Sequence, residues 1–266
     1  MKILEIYIRK LRNKRYSENT IDSYVSYLQA FIKDNNIKDP YQVSLKQITS
    51  YLENRHYSSV SQQNQIIGSL KLFAKYILGK KAIHLDKIER PRKSITIQPV
   101  IPRDFLLNRL TSVKNIKHKT IITLGYACGL RVSEIINLQW KHINRQEQTL
   151  LISQAKGNKD RLLPINDSII DLLEQHARSH KPQQYVFTGQ DWRPQYSASS
   201  CNNIVKATFG KQYRFHSLRK SCGVHLFELG NNLALIQDLY GHSNIKTTRI
   251  YVSSSLEALR HLSHLV

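Results

Sequence analysis

The chain has 266 residues, 41% hydrophobic and 22% charged, with 40 Lys and Arg against 19 Asp and Glu and a formal net charge of +21. This balance excludes a disordered chain and gives enough length for two domains, each with its own core. The basic excess is shared, since residues 1–95 hold 18 basic against 8 acidic side chains and the remainder 22 against 11, as expected if a polyanion contacts the whole length and each neutralised phosphate releases counterions.

In the first eighty residues apolar positions recur at helical spacing. A first helix is expected over residues 3–12, and a second carries Ile21, Tyr24, Val25, Leu28, Phe31 and Ile32 behind a Ser17 cap. Ser44-Leu-Lys-Gln47 has the form of a capping box leading into Leu45, Ile48, Tyr51 and Leu52. A fourth helix runs through Ile66, Ile67, Leu70, Phe73, Ala74 and Ile77 to a stop at Gly79. Periodicity then fades, and residues 81–102 alternate Pro91, Pro99 and Pro102 with Lys81, Lys87, Arg90, Arg92 and Lys93, which reads as an extended basic linker.

After Pro102 the pattern is mainly helical with one interruption. Thr149–Ile152 and residues 161–165 flank a polar stretch from Ala155 to Asp160, a hairpin with Lys156 at its tip and Gly157-Asn158 in the turn. Asp167 is expected to cap a helix through Ile170, Leu173 and Ala177, and residues 185–188 read as a short strand. Cys128, Cys201 and Cys222 are odd in number and lack metal-ligand spacing, so neither a disulfide framework nor a metal site is expected. Charges break the opening residues too early for a signal peptide and no run reaches membrane-spanning length, so a cytoplasmic protein without membrane contact is expected.

The last third carries a dispersed polar set: His216-Ser-Leu-Arg219, Gly241-His242, and Tyr251. Upstream lie Arg131 and Lys156. Breaking a phosphodiester without metal needs a nucleophile, compensation for charge on the non-bridging oxygens and a proton for the leaving 5′ oxygen. Guanidinium forks match phosphate oxygens in pairs, which suits Arg131 and Arg219. His216 and Arg219 share a face of a helix expected to begin near Ser217, and His242 can hydrogen-bond the phosphate. Lys156 or Lys159 on the flexible turn can supply the proton. Tyr251 is the nucleophile candidate; a phenol titrates near ~10, so neighbouring cations must lower that cost. No phosphate-binding GxxxxGK[ST] loop is present, and no cofactor is expected.

Together, the motifs around Arg131 and Glu134, Lys156 to Arg161, His216 and Arg219, Gly241-His242 and Tyr251 resemble those of the tyrosine recombinase (phage integrase) family, with a layout similar to its compact Xer-like bacterial members. The resemblance covers nearly the whole chain. It implies a mainly α fold: an N-terminal helical-bundle, SAM-like core-binding domain over residues 1–80, the linker, and an α-rich mixed α/β catalytic domain with a small β-hairpin sheet over residues 103–266. By the same carry-over Arg131, His216, Arg219 and His242 surround the scissile phosphate, Lys156 is the general acid, Tyr251 forms a 3′-phosphotyrosyl link, and Glu134 supports the arrangement.

The resemblance implies double-stranded DNA carrying specific recombination sites as the partner, and a tetramer on two duplexes. Leu256, Leu259, Leu262 and Leu265 lie on one face of the C-terminal tail and would dock on a neighbouring subunit. Accessory DNA-bending proteins or a partner recombinase are further candidates. The chain departs from the commonest family pattern at Lys220, a possible DNA backbone contact, at Cys222-Gly223 and at Tyr240. Two other readings stay open at this point: a non-cutting DNA-binding or architectural protein, and a type IB topoisomerase-like enzyme.

Overall fold

The computed structural model describes residues 2–79, 88–91, 99–153, 160–189 and 195–241, without the side chain of Asp238. The chain forms two compact units, residues 1–96 and 97–266.

In the first unit four helices follow the apolar spacing: α1 (Lys2–Asn13), α2 (Glu18–Asp34), α3 (Leu45–Asn54) and α4 (Val60–Tyr76). Helix α1 buries Ile3, Tyr7 and Leu11 at steps of four, and α2 buries Ile21, Leu28 and Phe31. Ser17 accepts the Thr20 amide, and Ser44 and Gln47 form the reciprocal capping box, so both sequence signatures operate as expected. The polar Tyr7 hydroxyl is accommodated in this core by donating to the Ser69 carbonyl at 2.9 Å.

The second unit contains α5 (Arg103–Thr111), α6 (Ile116–Ala127), the short α7 (Val132–Ile136), strands β1 (Ile143–Asn144), β2 (Thr149–Ile152) and β3 (Arg161–Pro164), then α8 (Asp167–His180), α9 (Ala198–Phe209), α10 (Phe215–Glu228) and α11 (Leu233–Tyr240). The strands form an antiparallel sheet in the order β1-β2-β3, with Leu150 opposite Leu163 and Ile152 opposite Arg161. Alternation along β3 turns Arg161 to the same side as buried Leu163 and leaves Leu162 62% exposed. The core joins Ile121, Ile122 and Leu124 of α6 to Leu150, Leu163, Leu173, Phe215 and Leu218.

Three expectations change. Asn166, not Asp167, caps α8 by accepting the Ile169 amide; Asp167 instead receives the side-chain amide of Gln148 at 2.6 Å. Residues 185–188 make only an isolated bridge from Tyr185 to Gln139, because the segment opposite turns into a 3-10 helix at Trp140, while Val186 and Phe187 enter the core as single side chains. Helix α10 starts at Phe215, earlier than Ser217, whose hydroxyl accepts the Arg214 amide.

Cys128, Cys201 and Cys222 are free and buried, and burial pushes the thiols of Cys128 and Cys201 up to about 12. Among the described residues no helix is long and apolar enough to cross a membrane.

Candidate active site

Helix α6 ends at a left-handed residue, Gly129, with φ of 58°. No other residue type fits: a Cβ there would lie 2.3 Å from Cε1 of Tyr240. The turn delivers Arg131 in extended conformation to the N-cap of α7, where Glu134 is the third helical residue. Glu134 reaches back to the Arg131 amide at 2.8 Å and to its guanidinium at 2.7 Å. Burial alone would raise the Glu134 carboxyl, but the hydrogen bonds from Arg161 and Arg131 outweigh it and hold the group below the usual carboxylate range. The ion is therefore kept charged inside the protein by paired donors.

Arg219 lies one turn into α10 and is completely buried. Its Nη1 donates to the Gly129 carbonyl at 2.5 Å and its Nη2 to the Tyr240 carbonyl at 2.9 Å, and its guanidinium sits 4.1 Å from the Tyr240 ring centre. Tyr240 donates its hydroxyl back to the Arg219 carbonyl at 2.6 Å. Tyr240, a departure from the family pattern, thus forms the platform under the second arginine. Arg131 Nη2 approaches the same Tyr240 carbonyl at 3.4 Å.

His216 stands one turn before Arg219, on the exposed side of the helix. Surrounding protein, and then the charges of Arg219, Arg131 and Lys220, hold its imidazole below the ordinary value. This favours the neutral form, in which the ring carries one N–H donor and one acceptor. Lys220, next to Arg219 in the same helix, is buried as well, only 4% exposed.

The sequence motifs include Arg161 but gave it no role. From the first residue of β3 it makes two hydrogen bonds to Glu134, at 2.9 and 2.8 Å, and a third to the Leu239 carbonyl at 3.0 Å. A cation at an inward-facing position of a four-residue apolar strand was the available clue, because a buried guanidinium requires a partner. Three arginines now surround one carboxylate, Arg219 standing 3.9 Å from it. Among the described residues the cluster thus gathers more guanidinium than carboxylate groups, which suits an anion that gains charge in its transition state. Lys156, Lys159, His242, Tyr251 and the tail leucines lie outside the described residues.

The model of the phage integrase family matches residues 104–257, and that of the phage integrase N-terminal SAM-like domain matches residues 3–83. The chain belongs to the phage integrase family. Its relatives include tyrosine recombinase XerA of Pyrococcus horikoshii, 28% identical over 97% of this chain and 91% of the relative. A tyrosine recombinase of Pseudothermotoga lettingae is 30% identical, over 90% and 88%. The recombinase shares its fold with the integrase of transposon Tn1549 in complex with transposon right end DNA, with a TM-score of 0.71, 16% identity and 99% of each chain covered. With this family and these relatives, the activity is that of a tyrosine-type site-specific DNA recombinase.

Proposed function

We propose that the protein cuts and rejoins specific double-stranded DNA sites through Tyr251, without metal or nucleotide cofactor. The phenolic oxygen, its proton released to solvent, attacks the scissile phosphorus and forms a 3′-phosphotyrosyl bond, while the bond to the 5′ oxygen breaks and that oxygen takes a proton from Lys156. The phosphotyrosyl bond keeps the ester's free energy, so attack by a new 5′ hydroxyl reverses the step on another strand. Arg131, Arg219, His216 and His242 hold the non-bridging oxygens, and Glu134 fixes Arg131. The supporting observation is the convergence of Arg131 and Arg219, far apart in the chain, on the single carbonyl of Tyr240. Guanidiniums held so close to each other match the two oxygens of one phosphate.

The rest of this reading assigns residues 1–80 to DNA binding, 81–102 to a connector that follows the phosphate backbone and 103–266 to catalysis, in a cytoplasmic enzyme. Structures of related recombinases bound to DNA support the choice of partner. Four protomers would act on two duplexes, each C-terminal tail docking on a neighbour, with accessory DNA-bending proteins or a partner recombinase as further participants.

The test offers the protein a pool of nicked duplexes with randomised arms, in which cleavage releases a short fragment and traps the intermediate. Wild type should give adducts that survive a denaturing gel, and amplification of their DNA identifies the site. Tyr251→Phe should bind the captured duplex and give no adduct. An adduct from that variant, or none from wild type, would refute the reading.

A further inference from the structure

Arg161 is the one member of the buried cluster to which the proposed chemistry gives no task, although it uses its guanidinium most fully. All three of its nitrogens donate: Nη1 and Nη2 to the two oxygens of Glu134, and Nε to the carbonyl of Leu239. Its side chain is 9% exposed and that of Glu134 5%. A phosphate-binding role is poorly served by a fork already committed to a carboxylate.

Its connections are more informative. Arg161 opens β3, directly after the segment carrying Lys156 and Lys159. The Leu239 carbonyl belongs to the last turn of α11, where unsatisfied carbonyls and the helix dipole favour a cation. One residue past that helix, a Cβ added to Gly241 would meet Cδ of Arg161 at 3.2 Å, so the arginine stem lies along the chain just before His242. Through Glu134 the same guanidinium reaches the N-cap of α7, where Arg131 sits.

We propose that Arg161 is a positioning residue that locks β3, the carbonyl end of α11 and Glu134 into one register, so that the segments carrying the general acid, Arg131 and His242 meet at one phosphate. The assignment rests on the catalytic roles proposed above. Arg161 touches no reacting atom; it acts through Glu134 and the end of α11. Lysine in its place would keep the charge, but a single ammonium cannot bond both carboxylate oxygens and the Leu239 carbonyl with the same planar geometry.

Two measurements on Arg161→Lys test this. In the DNA-free full chain, amide hydrogen exchange should accelerate by about tenfold or more in peptides covering residues 130–136 and 236–241, while peptides of α8 stay unchanged. On the duplex captured by wild type, the single-turnover cleavage rate constant should fall by about tenfold or more, as misplacement of reacting groups produces. Reaction amplitude and DNA affinity at fixed salt should remain within about threefold, because no phosphate contact is lost. Unchanged exchange, faster exchange throughout the unit, or loss of the cooperative unfolding transition would overturn the assignment. So would a rate constant within about twofold of wild type, or a loss confined to amplitude. If wild type itself forms no adduct, the catalytic reading fails, while the exchange pattern still decides whether Arg161 sets the register.

Discussion

Replacing Glu134 by glutamine keeps the side chain's outline and removes the only carboxylate described among the three arginines. Glu134 receives Arg131 at 2.7 Å and Arg161 at 2.9 and 2.8 Å, and the residue is 8% exposed. Breaking one side of a buried ion pair costs about 3–5 kcal/mol, because the remaining charge is left buried without compensation. The glutamine oxygen can accept from one guanidinium, but its amide then turns N–H groups toward another donor, so a loss of about 4 kcal/mol is expected. Both tryptophans, Trp140 and Trp192, lie in the second unit, so urea unfolding followed by tryptophan emission reads that unit. With a slope of about 2 kcal/mol per molar urea, Glu134→Gln should lower the midpoint by about 2 M. A shift below about 0.5 M at unchanged slope would refute the reasoning. Because the folded carboxyl is held below its ordinary value of 4.5, its contribution is present above that pH and lost as pH falls through the lower folded value. The wild-type and variant midpoints should therefore converge in acid.

Gly129→Ala adds a Cβ at a left-handed position and against Tyr240. Backbone strain of about 1–2 kcal/mol and overpacking of about 1–3 kcal/mol should appear in the same urea titration; a loss below 1 kcal/mol would show that Tyr240 can move aside at little cost. His176 is fully buried, shares its Nε2 proton with the Val186 carbonyl at 2.8 Å and has its pKa lowered to about 4 by burial. A histidine depressed below its unfolded value of 6.5 contributes fully above that pH and destabilises progressively down to about 4, by at most about 3 kcal/mol. His176→Gln should flatten that part of the pH profile of the tryptophan-monitored midpoint; a profile unchanged between pH 6.5 and 4 would assign the acid sensitivity elsewhere.

The first unit was largely legible because its helices obey local rules: Ser17 and Ser44 cap where hydroxyls precede apolar periods, and Ile21, Leu28 and Phe31 face inward as their spacing requires. The pairing of β2 with β3 was legible for the same reason. Residues 185–188 were not, since a strand needs a ladder partner and theirs ends in a 3-10 turn. At the site, the motifs named Arg131, Glu134, His216 and Arg219 as candidates, and the fold brings Arg131, Glu134 and Arg219 together. They gave no role to Arg161, nor to Tyr240 beneath Arg219, because both roles depend on long-range contacts: β3 with α7 and α11, and α11 with α10. Local periodicity contains no information about which distant carbonyl a buried guanidinium will meet.

All three native cysteines are enclosed, with exposures of 3%, 0% and 4%, and burial raises the thiols of each. Thiolate is the reactive form, so alkylating dyes should pass these positions slowly in the folded protein. A cysteine introduced on the surface of each unit can consequently take a fluorophore without first stripping the natural thiols, and energy transfer between the two labels then follows the halves as they meet a duplex.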